Sequence, residues 1–258
     1  VKEKSYLNLK KLLKLEILNV LKNIISKANQ RTIIIPLSAG LDSRLIASGL
    51  RELNYEKVKC FSYGLKDNYE SKASRYISKK LNYDWDFIEL KHKEIYNFFN
   101  DQEFKKYIKL SNDGCSTPSI QDLYPLQKLL NKKYIMKNDI IINGNSGDFI
   151  SGGHIPESFS NCIEKNNKEL FSNVFNEQLN KHYSLWASLK KTKNINIIEK
   201  EILFQIKNIL KTTKNIKAHG LYEFIEFENR QSKYVVNLQR TYDYLNLNWY
   251  LPLWDKSF

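Results

Sequence analysis

The run Thr32-Ile33-Ile34-Ile35-Pro36-Leu37 is apolar and mostly β-branched, and it passes without a break into the small polar turn Ser38-Ala39-Gly40-Leu41-Asp42-Ser43. A strand without polar alternation has both faces covered, the condition of a central strand in a parallel sheet. Parallel neighbours cannot be joined by a hairpin. Each connection must cross over a face of the sheet, so one such strand commits the chain around it to alternate strands with helices.

The rest of the first half obeys that alternation. Leu and Ile recur at helical spacing from Tyr6 to Lys27, which reads as a helix buried on a wide face. After the first strand and its turn come a helix from Ser43 to Leu53, a strand from Lys57 to Tyr63, a helix from Tyr69 to Leu81 and a strand from Trp85 to Leu90. Further helix leads toward Asn100, and a helix from Ile120 to Leu130 precedes a fourth strand from Asp139 to Asn143. From Glu157 onward helical periodicity dominates, over Leu170 to Leu179, Ile195 to Leu210 and Tyr222 to Leu245, with no further clear strand. The expected fold is α/β: a parallel sheet with helices on both faces, its core in residues 30–150, followed by a helical layer over 157–250. No polar linker separates the halves, so one domain over residues 1–258 is expected.

A formal charge of +13 raises nucleic acid as a partner, but only six of the 41 basic residues are Arg and the lysines are dispersed. Clusters such as Lys190-Lys191-Thr192-Lys193 and Lys211 to Lys217 read as solvated helix ends and loops, so nucleic acid is not an expected partner. The apolar runs are too short to cross a bilayer and no secretory leader opens the sequence, so a cytoplasmic, soluble protein is expected. Cys60, Cys115 and Cys162 have neither disulfide-framework nor zinc spacing and read as small buried residues. His92, His154, His182 and His219 also lack ligand spacing; His154, after Gly152-Gly153 beyond the fourth strand, is the one candidate to face a substrate.

Ligands of open α/β sheets bind at the carboxyl ends of strands, which directs attention to the turn after the first strand. A loop of small residues at a helix N-terminus aims several backbone N–H groups at one anion, and the helix dipole adds to the attraction. Ser38 and Ser43 add hydroxyl donors. Asp42 suits the Mg²⁺ that accompanies phosphates better than the phosphates themselves. The plain alternative is a strand-to-helix turn in which Asp42 is a helix N-cap. The GxxxxGK[ST] phosphate loop is excluded, because no Lys is present and the turn is too short.

Ser38-Ala39-Gly40-Leu41-Asp42-Ser43 resembles the SGGxDS pyrophosphate loop of the N-type ATP pyrophosphatases, with Ala39 at a usual Gly position, tolerable if its φ is negative. Cys60-Phe61-Ser62-Tyr63-Gly64, with Glu70 and Ser74-Arg75, is similar to the adenosine-receiving segment of asparagine synthetases. Asn143-Gly144-Asn145-Ser146-Gly147-Asp148 resembles their second glycine-rich loop. Asn229-Arg230-Gln231-Ser232 and Leu251-Pro252-Leu253-Trp254-Asp255 resemble their arginine-bearing helix and the turn after it. The resemblance implies the adenine nucleotide alpha-hydrolase-like fold and ATP with Mg²⁺ as cofactors. It implies Asp42 and Asp148 as catalytic residues and Mg²⁺ ligands. It further implies ATP or pyrophosphate binding by Leu37, Ser38, Ala39, Gly40, Asp42, Ser43, Ser62, Tyr63, Gly64, Gly144, Ser146 and Gly147.

Asn145 stands where many asparagine synthetases carry Glu, Ser146 where they carry Gly, and Phe149 where a second Glu follows the aspartate. These departures favour a carboxylate other than aspartate, such as a sugar uronate or a peptide acid. The expected activity is an ATP-dependent amide ligase or amidotransferase that adenylates a small carboxylate, releases pyrophosphate and passes the acyl group to ammonia or an amine. A glutaminase domain or subunit is a candidate partner, because Val1 opens straight into the first helix. The family's catalytic Lys beyond the last turn is missing, so a fragment or split gene product is expected. The alternatives are a tRNA-modifying relative of the lysidine synthetase type and a degenerate ATP-binding module.

Overall fold

The computed structural model describes residues 5–112, 114, 117–159, 166–213 and 216–257. Contacts divide the chain into two compact units, Val1–Ser151 with Tyr234–Phe258, and Gly152–Lys233.

The first unit runs α1 (Tyr6–Ala28), β1 (Ile33–Pro36), α2 (Leu41–Glu52), β2 (Val58–Gly64), α3 (Tyr69–Leu81), β3 (Asp84–Glu89), α4 (His92–Asn100), α5 (Gln102–Asn112), α6 (Leu123–Asn131), β4 (Ile140–Ile142) and the short α7 (Gly147–Ile150). The strands order as β3-β2-β1-β4-β5, with β5 (Asn248–Tyr250) at one edge. Every pairing is parallel, with Ile33 opposite both Val58 and Ile140, and Ile140 opposite Asn248.

The triple isoleucines of β1 and β4 show why this sheet is central. Successive side chains on a strand point to opposite faces. Ile33, Ile35, Ile140 and Ile142 join Cys60 and the buried residues of α1 and α2 on one face, while Ile34, Ile141 and Phe61 join Tyr124, Leu126 and Leu129 of α6 on the other. All six isoleucines are 0% exposed. Cys60 is the small buried thiol expected, its pKa pushed by burial up to about 12; Cys115 and Cys162 lie outside the described residues.

Three expectations need correction. Only the second half of α1 is buried, through Ile17, Val20, Leu21, Ile24 and Ala28, while Tyr6, Leu7, Leu9, Leu12, Leu13 and Leu15 are exposed. Length explains this: the 23-residue helix is about 34 Å long, whereas the strands beneath it reach only about 10 to 23 Å. A fifth strand exists that residue pattern did not reveal. Asn248, Trp249 and Tyr250 show no apolar alternation, and pairing beside β4 is what makes them a strand. The continuous helix expected over Tyr222 to Leu245 is instead α10 (Ala218–Glu226), a π-helical stretch Phe227–Val235, a 3₁₀ turn Val236–Gln239 and α11 (Arg240–Tyr244). Within it the Ser232 hydroxyl donates to the Glu228 carbonyl at 3.1 Å, a side-chain bond that competes with the helical ladder.

The second unit contains α8 (Asn167–Tyr183), α9 (Thr192–Thr212) and α10, packed around Val174, Ile206, Leu221, Tyr222 and Ile225. Among its described residues the one strongly buried acid is Glu226, which accepts from Gln178 Nε2 at 3.0 Å, meets His182 Nε2, and pairs with Lys181 at 3.5 Å. His154 lies in this unit, buried with its ring stacked on Tyr222 at 6.4 Å between centroids. Among the described residues no helix is long and apolar enough to cross a membrane.

Candidate active site

With β1 flanked by β2 on one side and β4 on the other, chain direction across the sheet reverses between β1 and β4. Crevices at such switch points, outside the carboxyl ends of the strands, are where ligands of open α/β sheets sit. A cleft of about 400 Å³ opens here, lined by the turn after β1, the end of β2, the loop after β4, and residues from the segments before α6 and within α11.

The turn after β1 holds itself in shape. Leu37 is core-buried and its N–H donates to the Phe61 carbonyl at 2.8 Å, continuing the sheet ladder. The Ser38 N–H donates to Ser43 Oγ at 3.1 Å, the two serine hydroxyls are 3.1 Å apart, and the Gly40 N–H donates to Ser38 Oγ at 3.0 Å. Gly40, not Asp42, is the N-cap of α2, and no side chain caps that helix. Its first-turn amides are therefore without a side-chain acceptor at the anion-attracting end. Ala39 is not among the residues of positive φ, so its methyl group is compatible with the turn. Its N–H donates to Glu70 Oε2 of α3 at 2.5 Å.

The loop after β4 closes on Asp42 from above. A Cβ placed on Gly144 would stand 2.7 Å from both Asp42 Cβ and the Ser43 nitrogen, so only glycine fits this approach. Ser146 adopts φ 77°, the left-handed region, at the position where the family motif carries Gly. Asp148, exposed on α7, donates its backbone N–H to the Asp42 carboxylate. Burial first, and then the charge of Asp148, push the Asp42 carboxyl above its ordinary value; that backbone hydrogen bond pulls it part-way back. The two aspartates are thus together, as like charges. Mg²⁺ commonly takes one or two carboxylates and completes its shell with phosphate oxygens and water. Among the described residues no three His, Cys, Asp or Glu side chains converge as a metal site.

On the opposite wall, Tyr63 Oη donates to Asp122 Oδ1 at 2.6 Å and Tyr242 Oη to Asp122 Oδ2 at 3.0 Å. Asn143 Nδ2 donates to Tyr242 Oη at 3.1 Å and to Gln239 Oε1 at 3.0 Å, while its Oδ1 accepts from the Asn145 N–H at 3.1 Å. Burial pushes the Asp122 carboxyl up, and the two tyrosine bonds restrain it. Among the described residues Ser62 Oγ, buried in the same wall, has no hydrogen-bond partner. Of the residues singled out from sequence, Leu37, Ser38, Gly40, Asp42, Ser43, Ser62, Tyr63 and Gly144 line the cleft. Ala39, Gly64, Ser146, Gly147 and Asp148 are not among the lining residues. Asp122, Gln121, Ser119, Leu238 and Tyr242 were not foreseen. The one available signal was Asp122 itself, an acid at the head of α6 whose side chain makes no cap.

A family model described as asparagine synthase matches residues 28–252. The chain belongs to the asparagine synthase family. The match covers all five strands and both loops that meet at Asp42, and it makes the chain an ATP-using ligase by family. Among solved structures, it is similar to an NH3-dependent NAD synthetase from Campylobacter jejuni subsp. jejuni, in complex with the nitrate ion, at 15% identity and TM-score 0.41, covering 88% of this chain and 95% of that one. An NMN synthetase from Francisella tularensis is similar at 15% identity and TM-score 0.38, covering 86% and 93%. Among curated proteins none matches. Phe149, at a family Glu position, is buried with its ring edge-on to Trp254 at 5.9 Å, so that position serves packing in this member.

Proposed function

We propose that the chain forms an amide by adenylating a small carboxylate with Mg·ATP at this cleft. The observation that carries the reading is the meeting of Asp42 and Asp148, from the loops after β1 and β4, beside the uncapped N-terminus of α2. The Ser38 to Ser43 turn would take the pyrophosphate portion of ATP through backbone N–H groups and two hydroxyls. Ser62, Tyr63 and Gly64 would receive the adenosine, and Gly144, Ser146 and Gly147 would close over the phosphates. When bound, Mg²⁺ neutralises charge on the departing pyrophosphate; Asp42 and Asp148 are the residues that would hold it.

A carboxylate oxygen of the acid attacks the α-phosphorus, the bond from that phosphorus to the bridging oxygen breaks, and pyrophosphate leaves. Donors already aimed at the leaving group's charge stabilise the transition state without reorganising. Ammonia or an amine then attacks the acyl carbon, losing a proton as AMP departs. The acid would occupy the part of the cleft bounded by Gln121, Asp122 and Tyr242. Its chemistry is a small acid other than aspartate, since Asn145 and Phe149 replace family glutamates. A separate glutaminase domain or subunit is one source of the ammonia, and the cytoplasm is the proposed compartment.

The test is carboxylate-dependent exchange of labelled pyrophosphate into ATP across a panel of amino acids, uronates and peptides. Exchange with one of these acids, lost in Asp148→Ala, is the expected result. Release of ADP and orthophosphate instead would place cleavage at the γ-phosphate and overturn the reading. Exchange dependent on tRNA rather than a small acid would favour the lysidine-type alternative.

A further inference from the structure

Ala39 offers its backbone N–H to an anion that the protein itself supplies. Glu70, in the first turn of α3, places Oε2 2.5 Å from the Ala39 nitrogen. The Glu70 side chain is exposed and lines the same cleft as Ser38, Gly40 and Asp42. Among the described residues this is its one hydrogen bond, and no basic side chain pairs with it. A charge-assisted bond from a backbone N–H to a carboxylate is among the stronger single contacts a loop can make. One backbone amide of the turn after β1 is thus turned toward a carboxylate.

We propose that Glu70 is an internal competitor for that amide, holding the turn in shape until a polyphosphate displaces it. The inference rests on the polyphosphate reading above and deepens it. An N–H shared between two anions serves each less well, and a carboxylate left in the lining with Asp42 would add negative charge to a cleft receiving phosphate. Three features favour displacement over sharing. Glu70 is solvent-accessible, so its carboxylate regains water when it leaves. Its side chain is long and flexible. Its helix, α3, is capped independently by Asn68 Oδ1, which accepts from the Ser71 N–H at 2.8 Å, so α3 stays formed when Glu70 swings away.

The test compares the full chain with Glu70→Gln and Glu70→Ala by calorimetric titration with magnesium pyrophosphate, alongside the ligand-free amide resonance of Ala39. Removing the charge is expected to tighten pyrophosphate binding about fivefold, the scale of one charge-assisted hydrogen bond and one repulsion near the surface. The Ala39 amide is expected to move upfield in Glu70→Ala before any ligand is added. Equal or weaker binding by both variants, with the parent chain binding, would overturn the competitor role while leaving the polyphosphate reading intact. An unmoved Ala39 resonance would overturn the contact itself. No binding by any of the three chains at millimolar pyrophosphate would overturn the polyphosphate reading, and the competitor with it.

Discussion

Gly147 stands so close to Asp42 that a Cβ built on it would lie 2.5 Å from the Asp42 carboxyl carbon and 2.6 and 2.8 Å from its two oxygens. The backbone of one loop is thereby packed directly onto the functional side chain of another. Gly147→Ala should force these loops apart, at a stability cost of about 1 to 3 kcal/mol, the usual scale of overpacking. Because the displaced group is a carboxylate of the proposed metal site, Mg·ATP affinity should fall at least as sharply as stability. Denaturant titration and calorimetry on the same sample check both; an unaltered Mg·ATP affinity would show that Asp42 is not held in place by this contact.

Asp42 also carries an electrostatic penalty that can be read out. Its carboxyl is raised above its ordinary value by burial and then by Asp148, so the ionised form is disfavoured in the folded chain. For a carboxylate raised on folding, the folded state loses stability as pH climbs from the unfolded pKa through the folded one, and the loss is complete above it. Asp42→Asn should accordingly stabilise the ligand-free chain at neutral pH, by no more than about 1 kcal/mol given the partial exposure. The same variant should lose Mg²⁺-dependent ATP binding. In the parent chain that binding should fade, on acidification, at a higher pH than for an ordinary aspartate. Thermal melts with and without Mg·ATP, run from pH 4 to 7, measure all three.

Glu226 behaves in the opposite sense. Burial alone would raise its carboxyl, but the hydrogen bond and charge of His182, the charge of Lys181 and the hydrogen bond from Gln178 together bring it down to about 2. A depressed carboxylate contributes stability that is present above the unfolded pKa, roughly 4.3, and is lost as pH falls toward 2. Glu226→Gln should destabilise the unit Gly152–Lys233 by about 3 kcal/mol, since the remaining charges lose a buried partner. It should also flatten the acid limb of the melting curve. A parent chain whose melting temperature is unchanged between pH 5 and 3 would contradict this assignment.

The legible part of this protein was its unbroken apolar strands and the small-residue turn after the first of them. Three consecutive isoleucines in β1 announced a strand buried on both faces, and the turn from Ser38 to Ser43 announced its own chemistry through small residues at a helix head. Glu70 was visible only as a member of a resembling segment, because nothing in sequence spacing reports that an acid 31 positions from Ala39 reaches its amide. Asp122, Tyr63 and Tyr242 meet through tertiary packing, with Tyr242 120 positions from Asp122. Asn248–Tyr250 is a strand only because Ile140–Ile142 lies beside it. Ser146, by contrast, was legible as an oddity: a non-glycine at a glycine position, and the structure gives it φ 77°.

The place of β5 has a consequence for how the chain comes into being. Its partner β4 leaves the ribosome with one edge bare, and the segment that covers it emerges only after Gly152–Lys233 has been synthesised. At ordinary elongation rates that interval is roughly 5 to 20 s. Through it, three consecutive isoleucines present open backbone donors and acceptors to any neighbouring nascent chain, the circumstance in which strand edges recruit the wrong partner. Of the five strands described, the one synthesised last is thus the one that covers this edge of β4.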